Sequence, residues 1–200
     1  MKKIVLITFL IIAAQSSLFS QKLDVRGSVG FNNTSLTNDH PENIAFRGKT
    51  GFQAQLSVSY GKMFYINPGI SWRTYNMSVE YTDVKKTDKY SIGMVSLPLM
   101  VGFRIIPPDL VNIINARIYG GLRINKYTSI SNGGDKYNEF ELDDFRSMTS
   151  DLTVGLGIDV LSFYADLGYD FGLSPMFVHA NNNVKLNSFH FNIGMRISIN

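Results

Sequence analysis

The chain has 200 residues, of which 44% are apolar and 18% charged, with 17 glycines and no cysteine. That length suits one domain, and the missing thiols exclude disulfide scaffolds, thiol nucleophiles, Cys-ligated zinc, iron–sulfur clusters and an acylated lipoprotein cysteine. The formal charge of +3 falls to about +1 without Lys2 and Lys3, which is no footprint for nucleic acid. With 12% aromatic residues, disorder and coiled coil are excluded as well.

Residues 1–20 have the order of an export signal. Lys2 and Lys3 give the positive start, Ile4 to Ala14 an apolar run broken only by Thr8, and Gln15 to Ser20 a small polar stretch. The run is too short to span a bilayer as a helix, which takes about 20 residues. Cleavage is expected after Ser20, leaving Gln21 first, with Ser17 as the alternative. Residues 21–200 then form a single domain outside the cytoplasm.

From Leu23 onward the chain alternates with period two. Leu23, Val25, Val29 and Phe31 oppose Asp24, Arg26, Ser28 and Asn32. Gly51 to Tyr60 sets Phe52, Ala54, Leu56 and Val58 against Gln53, Gln55, Ser57 and Ser59. A third segment sets Phe64, Ile66, Ile70 and Trp72 against Tyr65, Asn67, Ser71 and Arg73. The fourth, Tyr90 to Ile105, is weaker: Val95, Leu97, Leu99, Val101 and Phe103 face away from Met94, Ser96, Pro98, Met100 and Gly102. Pro98 has no N–H for the ladder, so a bulge or a missing pair is expected there. Segments five to eight repeat the split around Ile118 and Arg117, Val154 and Asp151, Leu167 and Asp166, and Ile193 and Asn192. Such alternation marks strands with one apolar and one polar face.

The connections alternate in length. Asn33–Gly48, Ser78–Lys89, Thr128–Ser147 and Ser174–Asn187 are long and polar, while Gly61–Lys62 and Leu161–Ser162 are tight and Ile106–Asn112 is intermediate. The fold class expected is all-β, an eight-stranded antiparallel up-and-down transmembrane β-barrel with four long external loops and short periplasmic turns. A soluble ligand-binding barrel, with the apolar face inward, is the competing arrangement.

Charge type favours the membrane arrangement. Glu42, Glu80, Glu139 and Glu141 all sit in long loops, and lysines occur in loops or near strand ends. The polar faces instead carry glycines, six arginines (26, 73, 104, 117, 123 and 196) and five aspartates (24, 151, 159, 166 and 170). Near-balanced charge is what a narrow lumen requires, because an unpaired buried ion costs several kcal/mol, roughly. A lumen polar network is therefore expected from Asp24, Arg26, Arg73, Arg117, Arg123, Asp151, Asp159, Asp166, Asp170, His190 and Arg196. Two aromatic girdles are expected, with Phe31, Tyr90, Tyr127, Phe171 and Phe189 at the loop end. Tyr60, Phe64, Phe103 and Phe163 would form the other.

The Leu97-Pro98-Leu99 segment and the stretch Gly168-Tyr169-Asp170-Phe171-Gly172-Leu173-Ser174, behind an export signal ending before Gln21, resemble the small outer-membrane β-barrel proteins of Bacteroidota, the PorT-like group. The resemblance covers the chain after the signal. It implies the outer membrane of a Gram-negative bacterium and an accessory role in protein secretion by the type IX system. Chains of this kind often end on an aromatic residue that the barrel-insertion machinery reads. This one ends Ile199-Asn200, which leaves Phe189, Phe191 or the apolar face of the last segment for that contact.

Chemistry is sparse. Ser188 and His190 share a face, a spacing that suits a Ser–His pair and makes a lipid A-modifying enzyme the alternative function. That face is the lumen face, whereas such a pair must meet acyl chains. His40 and His179 lie in loops. Asp135, Glu139, Glu141, Asp143 and Asp144 are oxygen-rich but lack an EF-hand spacing. Lys85, Lys86 and Lys89 are the candidates to meet lipopolysaccharide phosphates. The expected protein is non-enzymatic and has no cofactor. Its partners are outer-membrane lipid and lipopolysaccharide, the insertion machinery and another envelope protein, with no nucleic acid.

Overall fold

The computed structural model describes residues 22–37, 44–81, 86–106, 113–132, 145–176 and 185–199. The expected export segment, Glu42, the acidic run 135–144, His40 and His179 lie outside these residues. Eight strands follow in chain order: β1 (Leu23–Thr37), β2 (Ile44–Tyr60), β3 (Phe64–Tyr81), β4 (Lys86–Arg104), β5 (Ile114–Asn132), β6 (Met148–Val160), β7 (Phe163–Gly172) and β8 (Lys185–Ile199). Each pairs antiparallel with its neighbour in sequence. β1 then closes the barrel on β8, from Leu23 opposite Ile199 to Thr37 opposite Lys185.

The faces settle which way the alternation points. Along β6, Leu152, Val154, Leu156, Ile158 and Val160 are 40–61% exposed, while Asp151, Thr153 and Asp159 are at most 4% exposed. The same holds around the whole wall, through Val29, Leu56, Ile70, Leu99, Ile118, Leu167 and Ile193. Soluble proteins rarely expose an apolar patch above a few hundred Å², roughly, so a continuous apolar ring requires hydrocarbon around it. The inward-apolar, ligand-binding barrel is therefore overturned.

Local chemistry accounts for the irregular points. The β3–β4 ladder pairs Pro68 with Leu99 and Ser71 with Ser96, omitting the positions between, where Pro98 has no proton to give. The β2–β3 turn uses Gly61 at φ 129°, a conformation that side chains rarely adopt. The β6–β7 turn places Leu161 at φ 54°, which costs a non-glycine residue about 1–2 kcal/mol. Its N–H donates to the Ile113 carbonyl at 2.8 Å, and its own carbonyl accepts from Arg196 Nε at 2.9 Å.

Two expectations need correction. The long loops are shorter than the sequence suggests, because β1 runs to Thr37, β3 to Tyr81, β5 to Asn132, and β2, β4 and β8 start at Ile44, Lys86 and Lys185. Strands β2 to β5 have 17, 18, 19 and 19 residues, where a tilted crossing takes about 9–11. The excess lies at the loop end, projecting beyond the apolar belt. There the two faces exchange character, on β3 without a break in phase. On β3 the outward side passes from Ile70 and Trp72 to Thr74 and Asn76, while the inward side passes from Ser71 and Arg73 to Tyr75 and Met77. Water now lies outside, so the apolar side chains turn in.

That exchange explains the second correction. Tyr90 and Tyr127 are 3% and 4% exposed and point inward, so they do not belong to a girdle. Phe31, Phe171 and Phe189 do face outward at that end, together with Trp72 and Phe52, whose rings lie 6.4 Å apart. At the turn end Phe64 packs against Phe103 at 4.9 Å, with Tyr60 and Phe163 outward nearby. A charge in mid-belt should be costly and one beyond it should not. Leu156→Arg is expected to lose about 2–4 kcal/mol, and Ser35→Arg on β1 close to none, in urea unfolding from phospholipid vesicles.

Candidate functional site

An eight-stranded barrel is just wide enough for its inward side chains to fill it. Here they fill it in tiers. At the turn end, Arg104 of β4 pairs with Asp24 of β1 at 3.0 Å and donates to the carbonyls of Gly61 and Lys62, holding the β2–β3 turn. Ser198 Oγ donates to the other oxygen of Asp24 at 2.6 Å.

The middle tier centres on Asp159 of β6. Its carboxylate takes Arg26 from β1 at 2.7 Å, Arg117 from β5 at 3.1 Å and Arg196 from β8 at 3.6 Å. Arg117 also reaches Asp166 of β7 at 2.5 Å. The Arg26 guanidinium lies 4.1 Å from the centre of the Tyr164 ring, a cation–π contact between two buried side chains.

The third tier centres on Asp170 of β7. Arg73 of β3 and Arg123 of β5 each lie 2.8 Å from its Oδ2, His190 Nδ1 of β8 lies at 3.2 Å, and Thr153 Oγ1 donates to Oδ1 at 2.6 Å. Arg73 Nε donates to Gln53 at 2.7 Å, and Gln53 Nε2 donates to Asn192 at 2.5 Å, extending the tier across β2 and β8. Asp151 takes its hydrogen bond from Asn125 Nδ2 at 2.7 Å.

Glycines make the room. A Cβ on Gly155 would come within 2.3 Å of the Tyr119 ring, one on Gly168 within 2.4 Å of His190 Nε2, and one on Gly102 within 2.2 Å of the Tyr65 ring. These large side chains lie across the barrel wall over bare backbone.

Above the third tier the lumen becomes apolar. Tyr75, Met77, Tyr90, Ile92, Met94, Tyr127, Phe145, Met176 and Leu186 form one buried cluster, with Ile130 packed against it. Tyr127 and Phe145 are in ring contact at 5.4 Å. The register step in β5 beside Gly93 and Met94 inserts Thr128, and this restores Ile130 to the inward side, opposite Ile92. The cluster caps the ionic interior.

All eleven side chains expected in the lumen face inward, and the ion pairs join ten of them with Arg104 into connected sets around Asp24, Asp159 and Asp170. Asp151 stands beside them through Asn125. Arg104 was left out of the expected set although its parity with Gly102 places it on the inner face. Gln53, Asn125, Thr153 and Asn192 were missed because neutral polar side chains carry no charge-balance signal. The apolar cap was missed because its residues alternate in phase with the polar ones. Ser188 lies inside β8, and its Oγ donates to the Phe189 carbonyl at 3.5 Å; both Ser188 and His190 are 1% exposed. Among the described residues, no three His, Asp or Glu side chains are placed to hold a metal ion.

A closed, ion-filled barrel with a lipid-facing wall defines a transmembrane β-barrel. Residues 13–178 match the family model of the outer membrane protein beta-barrel domain, so the chain belongs to that family, and its place is the outer membrane. Comparison with curated protein sequences finds no match. Among solved structures, the chain is similar to Ail, the attachment invasion locus protein of Yersinia pestis, in complex with the heparin analogue sucrose octasulfate. Identity there is 13%, covering 88% of this chain and 99% of that one, at a TM-score of 0.45. It is also similar to the N-terminal β-barrel domain of OprF from Pseudomonas aeruginosa, with 12% identity over 88% and 97% of the two chains and a TM-score of 0.40. The translocator domain of the autotransporter NalP from Neisseria meningitidis gives 11% identity over 98% and 96%, at 0.31. At these scores the likenesses carry no functional argument.

Removing a shared carboxylate strands its arginines in a buried interior. Asp170→Asn removes the carboxylate that pairs with both Arg73 and Arg123 and is expected to lose about 3–5 kcal/mol in vesicle unfolding. Asp166→Asn, at a site with 14% side-chain exposure and one arginine partner, is expected to lose clearly less.

Proposed function

We propose that the protein is a non-enzymatic outer-membrane barrel whose interior is structural and whose working surface is the projecting loop end, where it contacts another envelope component. The observation that carries this reading is the filled lumen. Among the described residues, three ionic tiers fill it and an apolar cluster lies above them, and Ser188 and His190 are each 1% exposed. Binding is left to the surfaces that rise beyond the belt, because lipid occupies the wall and loops on a rigid scaffold recognise partners. The PorT-like resemblance of Leu97-Pro98-Leu99 and of Gly168 to Ser174 supports an accessory role in protein secretion for that contact.

The experiment is an affinity tag inserted directly after Asn132, followed by cross-linking of intact cells and purification from the outer membrane. The expected result is one stoichiometric envelope protein recovered with the barrel. Recovery of the barrel alone, with the tag surface-exposed, overturns the partner reading. For the enzymatic alternative, His190→Ala is expected to leave lipid A masses unchanged by mass spectrometry, and a changed mass overturns the non-enzymatic reading. In planar bilayers the wild-type protein is expected to give no stable single-channel steps.

A further inference from the structure

The lipid-facing belt differs in height around the barrel. On β1 it runs from Leu23 to Phe31, on β2 from Phe52 to Tyr60 and on β3 from Phe64 to Trp72, about 9 positions each. Asn33 and Ser35 follow on β1 and Thr74 and Asn76 on β3, while Lys22, Gly61 and Lys62 lie at the lower margin. On the other side the belt is taller. On β6 its unbroken part runs from Leu152 to Val160, with Met148, 62% exposed, one outward position beyond Ser150, and on β7 it runs from Phe163 to Phe171, with Leu173, 47% exposed, just past the strand end. The turn between them adds Leu161 at 59%, flanked by Ile113 at 59% and Ile105 at 54%. With Met148 and Leu173 counted as their upper limits, these walls cover about 11–13 positions. At ~3.3 Å per residue and a strand tilt of ~40°, the short wall spans about 20 Å and the tall wall about 25–30 Å.

Tilting a closed barrel raises one wall and lowers the other, but it leaves both heights unchanged. A flat bilayer matched to the tall wall would therefore cover polar side chains on β1 to β3. Compressing lipid costs less than burying those groups in hydrocarbon. We propose that the barrel thins the bilayer along its β1–β3 wall and holds it at full thickness along β6 and β7. The occupant of the short wall is compressed phospholipid. Gly27, near mid-height there, gives its chains space to splay: a Cβ on it would meet nothing within 4 Å, and the groove over it is bounded by Leu56, Ile70, Trp72 and Met195.

The proposal rests on the membrane orientation described above, and the test separates the two. Because the chain has no cysteine, single substitutions can be spin-labelled cleanly. Asn33→Cys and Lys62→Cys sit just beyond the short wall, Met148→Cys and Leu161→Cys at the limits of the tall wall, and Leu156→Cys in mid-belt. Each is reconstituted in dioleoylphosphatidylcholine vesicles, with folding checked by heat-modifiable gel migration. Accessibility to oxygen, which partitions into hydrocarbon, is compared with accessibility to a water-soluble nickel chelate. Oxygen should dominate at 148, 156 and 161, and nickel at 33 and 62. Oxygen dominance at 33 or 62, or nickel dominance at 148 or 161, overturns the thinning. Nickel dominance at 156 overturns the orientation itself.

Discussion

Everything in this barrel answers to the pairing of charge in a buried interior. Among the described residues six arginines face inward, and burial of a guanidinium is tolerable only beside a carboxylate of good geometry. Asp159 and Asp170 meet that need by serving several arginines each, one oxygen or both, from strands on opposite sides of the lumen. Once those hubs are placed, neighbouring positions have little freedom. Glycine must stand where tyrosine, histidine or arginine side chains lie against the wall, and short neutral residues must complete the hydrogen bonds that the arginines leave open.

The outer face follows a different rule, set by the surroundings rather than by the lumen. Within the hydrocarbon the wall is apolar and the interior polar. A few residues higher the wall is polar and the interior apolar, as Trp72 followed by Thr74 outside and Arg73 followed by Tyr75 inside make plain. The chain thus builds two barrels end to end from the same strands. The lower resembles an inverted protein, and the upper packs a small core around Met94, Tyr127, Phe145 and Met176 as a water-soluble sheet protein would.

This division also explains what was legible in the sequence. Within the belt, parity assigned faces correctly from residues such as Val154 against Asp151, and the closed eight-stranded topology followed from it. Pro98 announced its gap in the ladder because a missing proton is a local fact. The upper strands read as loops in the sequence because polarity resembles irregularity, yet polarity there marks only the end of the lipid. Tyr90 and Tyr127 were assigned to the wall for the same reason: an aromatic near a strand end has no label saying which solvent lies outside. Which carboxylate serves which arginine depends on barrel stagger, and no pattern along one strand contains that.

The arrangement around Asp159 has a consequence for how the molecule comes together. Its arginine partners come from β1, β5 and β8, so two of them stand on opposite sides of the β1–β8 seam. Arg196 of β8 also secures the β6–β7 turn, and Arg104 of β4 the β2–β3 turn while pairing with Asp24 of β1. No single hairpin is therefore self-sufficient. An open sheet, with the first and last strands still apart, holds Arg26 of β1 away from Asp159 of β6 and Arg73 of β3 away from Asp170 of β7. Closure of the seam brings Arg26 and Arg196 onto one carboxylate, so the ionic interior is complete only when the first and last strands are paired.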